Sequence, residues 1–266
     1  MIRDITLGQY YPVSSWVHSL DPRTKLFFTL IYIIALFTAD NVLCFILCAG
    51  MLALIIRLSC VPAKYIVKGL KPILFLMLFS VAFNLFLTTG ETLVKIWVIT
   101  ITKEGLVRAV QMALRLIMLV MGTSLLTYTT TPNQLTDGLE KGLGFLKVFR
   151  VPVHEIAMMM SIALRFIPIL IEETDRIMKA QMARGADFES GGIVAKAKSM
   201  IPLLVPLFIS AFRRASDLAL AMEARCYHGD EGRTKMNPLR YSAADRQAYT
   251  CIYVFLAADI ILAVLL

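Results

Sequence analysis

Two arginines pose the question of what this chain can do. Arg184 stands in Ala183-Arg184-Gly185 and Arg225 in Ala224-Arg225-Cys226, each at the end of a long helical pattern. A guanidinium is a planar fork with five donors, suited to a carboxylate in a partner's groove. One arginine at a helix end is by default only a favourable charge for the helix dipole. Two in matching settings, each preceded by alanine and followed by a small residue, argue for more. Small neighbours leave the guanidinium clear and let another backbone approach closely. The residues read as two helix tips, each presenting one arginine to a partner.

The other candidate chemistry falls away on inspection. His154-Glu155 begins like a zinc-protease helix, but the residue four after His154 is Met158, so there is no HExxH. Glu172-Glu173-Thr174-Asp175-Arg176 resembles the paired-glutamate motif of intramembrane prenyl-protein proteases. The arginine comes one residue too early, however, and no apolar span supplies a histidine. His18, His154 and His228 are the only histidines, and all fall in segments that do not read as spans, which argues against a catalytic metal. Cys44, Cys48 and Cys251 sit in apolar runs, where thiols act as small hydrophobes. Cys60 and Cys226 fall on the expected cytoplasmic side, where disulfides are rare. No glycine-rich phosphate loop is present. The chain is therefore expected to bind no metal or cofactor itself, and any ATP is expected on another subunit.

The elements that position the arginines follow from composition. The hydrophobic fraction is 58%, against about 45–50% in soluble domains, and the mean hydropathy is +0.71. This is the composition of a polytopic membrane protein. Five apolar stretches run Leu26–Ala39, Val42–Ile56, Ile73–Thr89, Leu106–Thr129 and Ala248–Leu266. The first two are shorter than the roughly 20 residues of a span. Asp40-Asn41 separates them and favours a turn, so they read as a tight helical hairpin, with one re-entrant segment as the alternative.

The net charge of +8 would suit a nucleic-acid binder, but its placement speaks for membrane orientation. Arg57, Lys64, Lys68 and Lys71 follow the second stretch with no acid among them, whereas Glu91, Lys95, Lys103 and Glu104 cancel after the third. The positive-inside rule then puts the N-terminus, with Arg3, Arg23 and Lys25, in the cytoplasm. Asp4, Tyr10-Tyr11-Pro12 and Asp21-Pro22 precede any apolar run, which does not fit a cleavable signal.

Three regions result: residues 1–129 with four spans, a cytoplasmic region 130–247, and a last span at 248–266. The middle region holds 16 Lys/Arg and 13 Asp/Glu yet is rich in Leu, Ile, Met and Phe. Thr131 is a plausible N-cap with Pro132 at the first helical position. One amphipathic pattern runs from about Val153 to Phe188, interrupted by Arg165 and Pro168. After Gly191-Gly192 another runs from Ile193 to about Tyr227, with Pro202 and Pro206 as points of kinking. Their apolar faces are wider than a solitary cytoplasmic helix needs. The fold class is all-α: about five transmembrane helices and a cytoplasmic α-helical coupling domain.

The whole chain resembles the transmembrane (T) component of energy-coupling factor transporters, the family that includes CbiQ-type proteins. The resemblance rests on "LGQYYPVSSWVHSLDPRTKL", with Gly8, Tyr10, His18, Leu20, Asp21, Pro22, Arg23 and Lys25, on "RFIPILIEETDRIMKAQMARGADF", and on "AMEARCYHG". The last departs from the family pattern at Cys226, where glycine is usual. The resemblance implies two ABC-type ATPases beneath the chain, which bind ATP and Mg, and a substrate-binding S component beside it in the membrane. It further implies two long helices crossed in an X, with Arg184 and Arg225 docking into the two ATPases. The substrate class it implies is a vitamin or a metal ion, and the location is a prokaryotic plasma membrane. On that reading the chain is not an enzyme and binds no nucleic acid. Met158, Met159, Met160 and Met200 then suit an S-component surface that accepts varied partners, with ordinary helix packing as the alternative.

Two readings from other classes stay open at this point. A stand-alone secondary transporter would show repeats and ionisable residues near the midplane, and a membrane-embedded hydrolase would cluster acids or histidines in one cavity. Near the midplane only Arg115 and Asp259, with Asn84, fit that description, the two charges at depths of roughly 13 and 10 Å. Charges in spans face inward and usually pair, so they are expected to share a layer and pair. Backbone carbonyls or Asn84 are the alternative partners for Arg115.

Overall fold

The computed structural model describes residues 9–265 apart from 40, 90, 97–98, 187, 189–191, 193, 195–197, 230–235 and 237. Arg3, Asp4, Gly8, Asp40, Gly191 and Ile193, which carry sequence expectations, lie outside the described residues. The chain packs as two compact units. One comprises residues 8–141 with 239–266, and the other residues 142–238.

The first unit contains α1 (Pro22–Thr38), α2 (Val42–Ser59), α3 (Ala63–Lys68), α4 (Leu74–Leu87), α5 (Lys103–Thr129), α6 (Pro132–Gly142) and α9 (Ala243–Leu265). Each of the five apolar stretches is one of its helices. The α1–α2 hairpin forms as expected. Ile31, Tyr32, Ala35 and Leu36 of α1 interlock with Cys44, Phe45, Cys48 and Leu52 of α2, and Ile252 and Phe255 of α9 close the same core. On α5, Gly122 lets Tyr32 approach, since a Cβ there would lie 2.8 Å from Tyr32 Cε1.

Between α4 and α5 runs an antiparallel hairpin of β1 (Thr92–Ile96) and β2 (Ile99–Thr102). It is the one departure from helix among the described elements, and its β-branched run Val-Ile-Thr-Ile-Thr favours strand. Thr102 ends the hairpin and starts α5: its hydroxyl accepts from the Gly105 N–H (3.1 Å) and donates to the Thr88 carbonyl (2.9 Å). Thr131 caps α6 with a reciprocal pair of bonds to Gln134, a capping box. α6 packs on α1, because a Cβ at Gly138 would meet Pro22 and Leu26. It packs within the first compact unit, whereas the sequence expectation starts the coupling domain at residue 130.

The second unit is built on α7 (Val153–Ala183) and α8 (Ile201–Glu223). Both stay continuous through their internal prolines, Pro168 and Pro206, and Pro202 sits harmlessly in the first turn of α8. Among the described residues, five stretches are long and apolar enough to cross a membrane: Val42–Ser59, Ala63–Phe86, Lys103–Thr129, Val153–Ala183 and Ala243–Val264. They differ from the five expected in two respects. α1, at 17 residues, is just short, and the apolar first half of α7 qualifies by length and composition. The second half of α7 carries Glu172, Glu173, Asp175, Arg176 and Lys179.

Candidate functional site: two arginine-tipped helices

α7 ends where Gly185 takes a left-handed backbone, φ +89°, which a glycine adopts at no steric cost. The Gly185 N–H reaches back to the Met182 carbonyl and the Ala186 N–H to the Gln181 carbonyl, both at 3.0 Å. That pair of bonds is a Schellman ending, which satisfies carbonyls the helix would leave open. Arg184 is its last residue before the left-handed turn.

The end of α8 repeats this geometry. The Cys226 N–H bonds the Glu223 carbonyl (2.9 Å) and the Tyr227 N–H bonds the Met222 carbonyl (3.1 Å). Cys226 holds the left-handed position at φ +56°. Arg225 thus occupies the position in α8 that Arg184 occupies in α7. Both arginines are exposed, as are Ala183, Gly185, Ala224 and Cys226. Among the described residues neither guanidinium has an acceptor.

The two helices are antiparallel neighbours. Gln181 Nε2 donates to the Pro202 carbonyl (3.4 Å), and Arg214 pairs with Glu173 (3.1 Å). Going back along α7 from Gln181 to Glu173 therefore means going forward along α8 from Pro202 to Arg214. Arg184 lies beside the start of α8 and Arg225 at its far end, so at 1.5 Å per residue the tips stand roughly 30–35 Å apart. One rigid pair of helices presents two equivalent cations too far apart to serve a single small site.

The surface between them is apolar and open. Met159, Met160 and Met200 are exposed, as are Phe208, Phe212 and Leu220, while Met158 is half-buried. Of the glutamate pair, Glu173 is engaged by Arg214. Among the described residues no three His, Cys, Asp or Glu side chains cluster as a metal site would require.

In the membrane unit, the opening motif forms a polar knot. The Asp21 carboxylate pairs with Arg23 (3.2 Å), whose guanidinium also donates to the Leu239 carbonyl and lies over the Tyr241 ring. Lys25 Nζ donates to the carbonyls of His18 (3.2 Å) and Thr129 (2.9 Å). His18 bridges Ser15 and the Tyr11 carbonyl. At the centre is a residue that the sequence reading missed, Asp245, which is 1% exposed. It accepts from the Asp21 N–H (2.8 Å), the Thr24 hydroxyl (3.0 Å) and Ser242. The available signal was Ser242-Ala243-Ala244-Asp245, a capping-box spacing at the start of α9.

The structure does not join Arg115 and Asp259 by an ion pair among the described residues. Arg115 donates to the Ala39 carbonyl (2.6 Å) and lies over the Phe45 ring, so it takes the backbone-carbonyl alternative. Asp259 is buried on α9 beside Thr38 and Cys48.

The profile of the cobalt transport protein family, CbiQ, matches residues 13–236. The energy-coupling factor transporter transmembrane protein EcfT of Ruminiclostridium cellulolyticum is 53% identical over 245 residues, 92% of each chain. Proteins of the same name from Clostridium kluyveri and Bacillus subtilis are 52% and 46% identical. The match covers 98% and 97% of this chain and 97% of each of theirs.

Proposed function

The chain belongs to the CbiQ family, with the transmembrane (T) components of energy-coupling factor transporters, and from that premise we propose how it works. It converts ATP hydrolysis by two ABC-type ATPase subunits into reorientation of a membrane-embedded S component that carries a vitamin or a metal ion. ATP and Mg bind to the ATPases, and this chain holds no cofactor and catalyses no reaction. It sits in the plasma membrane with its N-terminus in the cytoplasm, and α7 and α8 form the coupling domain on that side.

One observation carries the reading: Arg184 and Arg225 cap two helices through the same ending, both exposed, at opposite ends of one helix pair. Two ATPase subunits require two equivalent plugs. An arginine set in a partner's groove makes charge-assisted hydrogen bonds worth about 1.5–3 kcal/mol each. The exposed methionines and phenylalanines of α7 and α8 give the S component an adaptable apolar surface. The test is ATPase co-purification and ATP-driven uptake for Arg184→Ala, Arg225→Ala and the double variant. Each single change should weaken assembly or uptake, and the double should exceed their sum. Normal assembly with normal uptake in the double variant would refute the proposal.

A further inference from the structure

The membrane unit contains a cavity of about 110 Å³ where α1, α2, α5 and α9 meet. Its wall is almost wholly apolar, from Phe28 and Tyr32 on α1, Met51 and Ile55 on α2, Leu126 on α5 and Ile252 on α9. Trp16, Leu54 and Leu58 also line it, and all three are exposed, so it opens on the outer face of the helix bundle. In a membrane that face meets lipid. An apolar void is unfavourable to water, and an empty one forfeits dispersion contacts on every side.

One end is different in kind. Lys25 lines the cavity at the start of α1, and Tyr32 stands two helical turns further along. The two acceptors of the Lys25 ammonium, the His18 and Thr129 carbonyls, are neutral. The nearest carboxylates are committed elsewhere, Asp21 to Arg23 and Asp245 to the Asp21 N–H, Thr24 and Ser242. Arg57 lies in the last turn of α2, between the lining residues Leu54 and Leu58 in sequence. Lys64, Lys68 and Lys71 follow, and all four cations are exposed with no acid between them. Trp16 at the same rim has the amphipathic ring that favours the headgroup level.

We propose that this cavity seats a segment of one acyl chain of an anionic phospholipid, its phosphate drawn to Lys25 at the polar end and to Arg57 nearby. Apolar lining accounts for the chain, and the run of cations from Arg57 to Lys71 selects the headgroup.

Trp16 is the natural reporter. The chain has two tryptophans, and Trp97→Phe leaves Trp16 alone. The protein is reconstituted in phosphatidylcholine bilayers containing increasing brominated phosphatidylglycerol or brominated phosphatidylcholine, and Trp16 quenching is read. A specific site saturates at a mole fraction about fivefold lower for the anionic lipid, one cation's worth of attraction. Cys251→Phe, which fills the cavity from α9, should return quenching to the bulk level. Arg57→Gln with Lys64→Gln and Lys68→Gln should shrink the headgroup preference, leaving only what Lys25 and Lys71 supply. Should Cys251→Phe not fold, displacement by unbrominated phosphatidylglycerol but not phosphatidylcholine reads the same site. Quenching that follows bulk composition for both lipids overturns the proposal, and so does equal saturation by the two.

Discussion

Arg184 and Arg225 hold the same place in two copies of one helix ending, each directly before a left-handed residue, Gly185 at φ +89° and Cys226 at φ +56°. The two copies differ in what they cost. Glycine takes a left-handed backbone freely, whereas a side-chain-bearing residue is disfavoured there by roughly 1–2 kcal/mol. The second tip is thus a strained version of the first.

Cys226→Gly should therefore stabilise the end of α8 by about 1 kcal/mol, and Gly185→Ala should destabilise the end of α7 by a similar amount. Open space surrounds Gly185, with nothing within 4 Å of an added Cβ, so the second effect is backbone strain without a clash. Amide hydrogen exchange around residues 222–227 and 181–186 measures both. Faster exchange near Tyr227 in Cys226→Gly would contradict the strain argument.

On the proposed docking of Arg184 into an ATPase subunit, replacement by lysine should rescue coupling poorly, because an ammonium is a point charge without the planar fork. Arg184→Glu should be worse than Arg184→Ala, since it adds repulsion to a lost contact and leaves any buried partner charge unpaired, at about 3–5 kcal/mol. The measurement is retention of ATPase subunits on the purified complex as salt is raised. Full retention in Arg184→Lys would show that charge alone suffices.

The apolar helices were legible because apolar runs of that length have few other uses, and each became one helix. The span-competent first half of α7 was hidden by the charges of its second half. The end of α7 was legible to within a few residues, since Gly185 follows Arg184 directly. The matching end of α8 was legible only by echo, because cysteine gives no hint of a left-handed backbone. The β1–β2 hairpin was missed although its β-branched residues favour strand, as charge balance dominated the reading of that loop. Asp245 was missed for a different reason: its main partner, Asp21, is 224 residues away. Local spacing can reveal the capping box, but not the knot that it closes.

Asp245 should be among the least replaceable residues of the membrane unit. It is buried and satisfies donors from the start of α1 and from the approach to α9. Asp245→Asn removes the charge and turns an amide toward those donors, at a cost of roughly 3 kcal/mol. Thr24→Val removes one bond and should cost about 1 kcal/mol. Thermal denaturation of the purified protein ranks the two, and an Asp245→Asn midpoint no lower than that of Thr24→Val would contradict the knot's central role.

His18 should make the opening motif weaken in acid. Its Nε2–H donates to the Tyr11 carbonyl, and its Nδ1 is hydrogen-bonded with the Ser15 hydroxyl. Burial is the main cause that pulls its pKa below the ordinary 6.5, and the Lys25 charge adds to it, against the opposing bond to Tyr11. The folded state therefore binds this proton less readily than the unfolded chain. Its contribution to stability is fully present above pH 6.5 and declines as the pH falls through the lowered folded value. Thermal midpoints measured between about pH 5 and 8 should fall on the acid side. His18→Gln keeps a side-chain amide donor but cannot titrate, and should flatten that part of the profile. An unchanged acid slope in His18→Gln would assign the dependence to other groups.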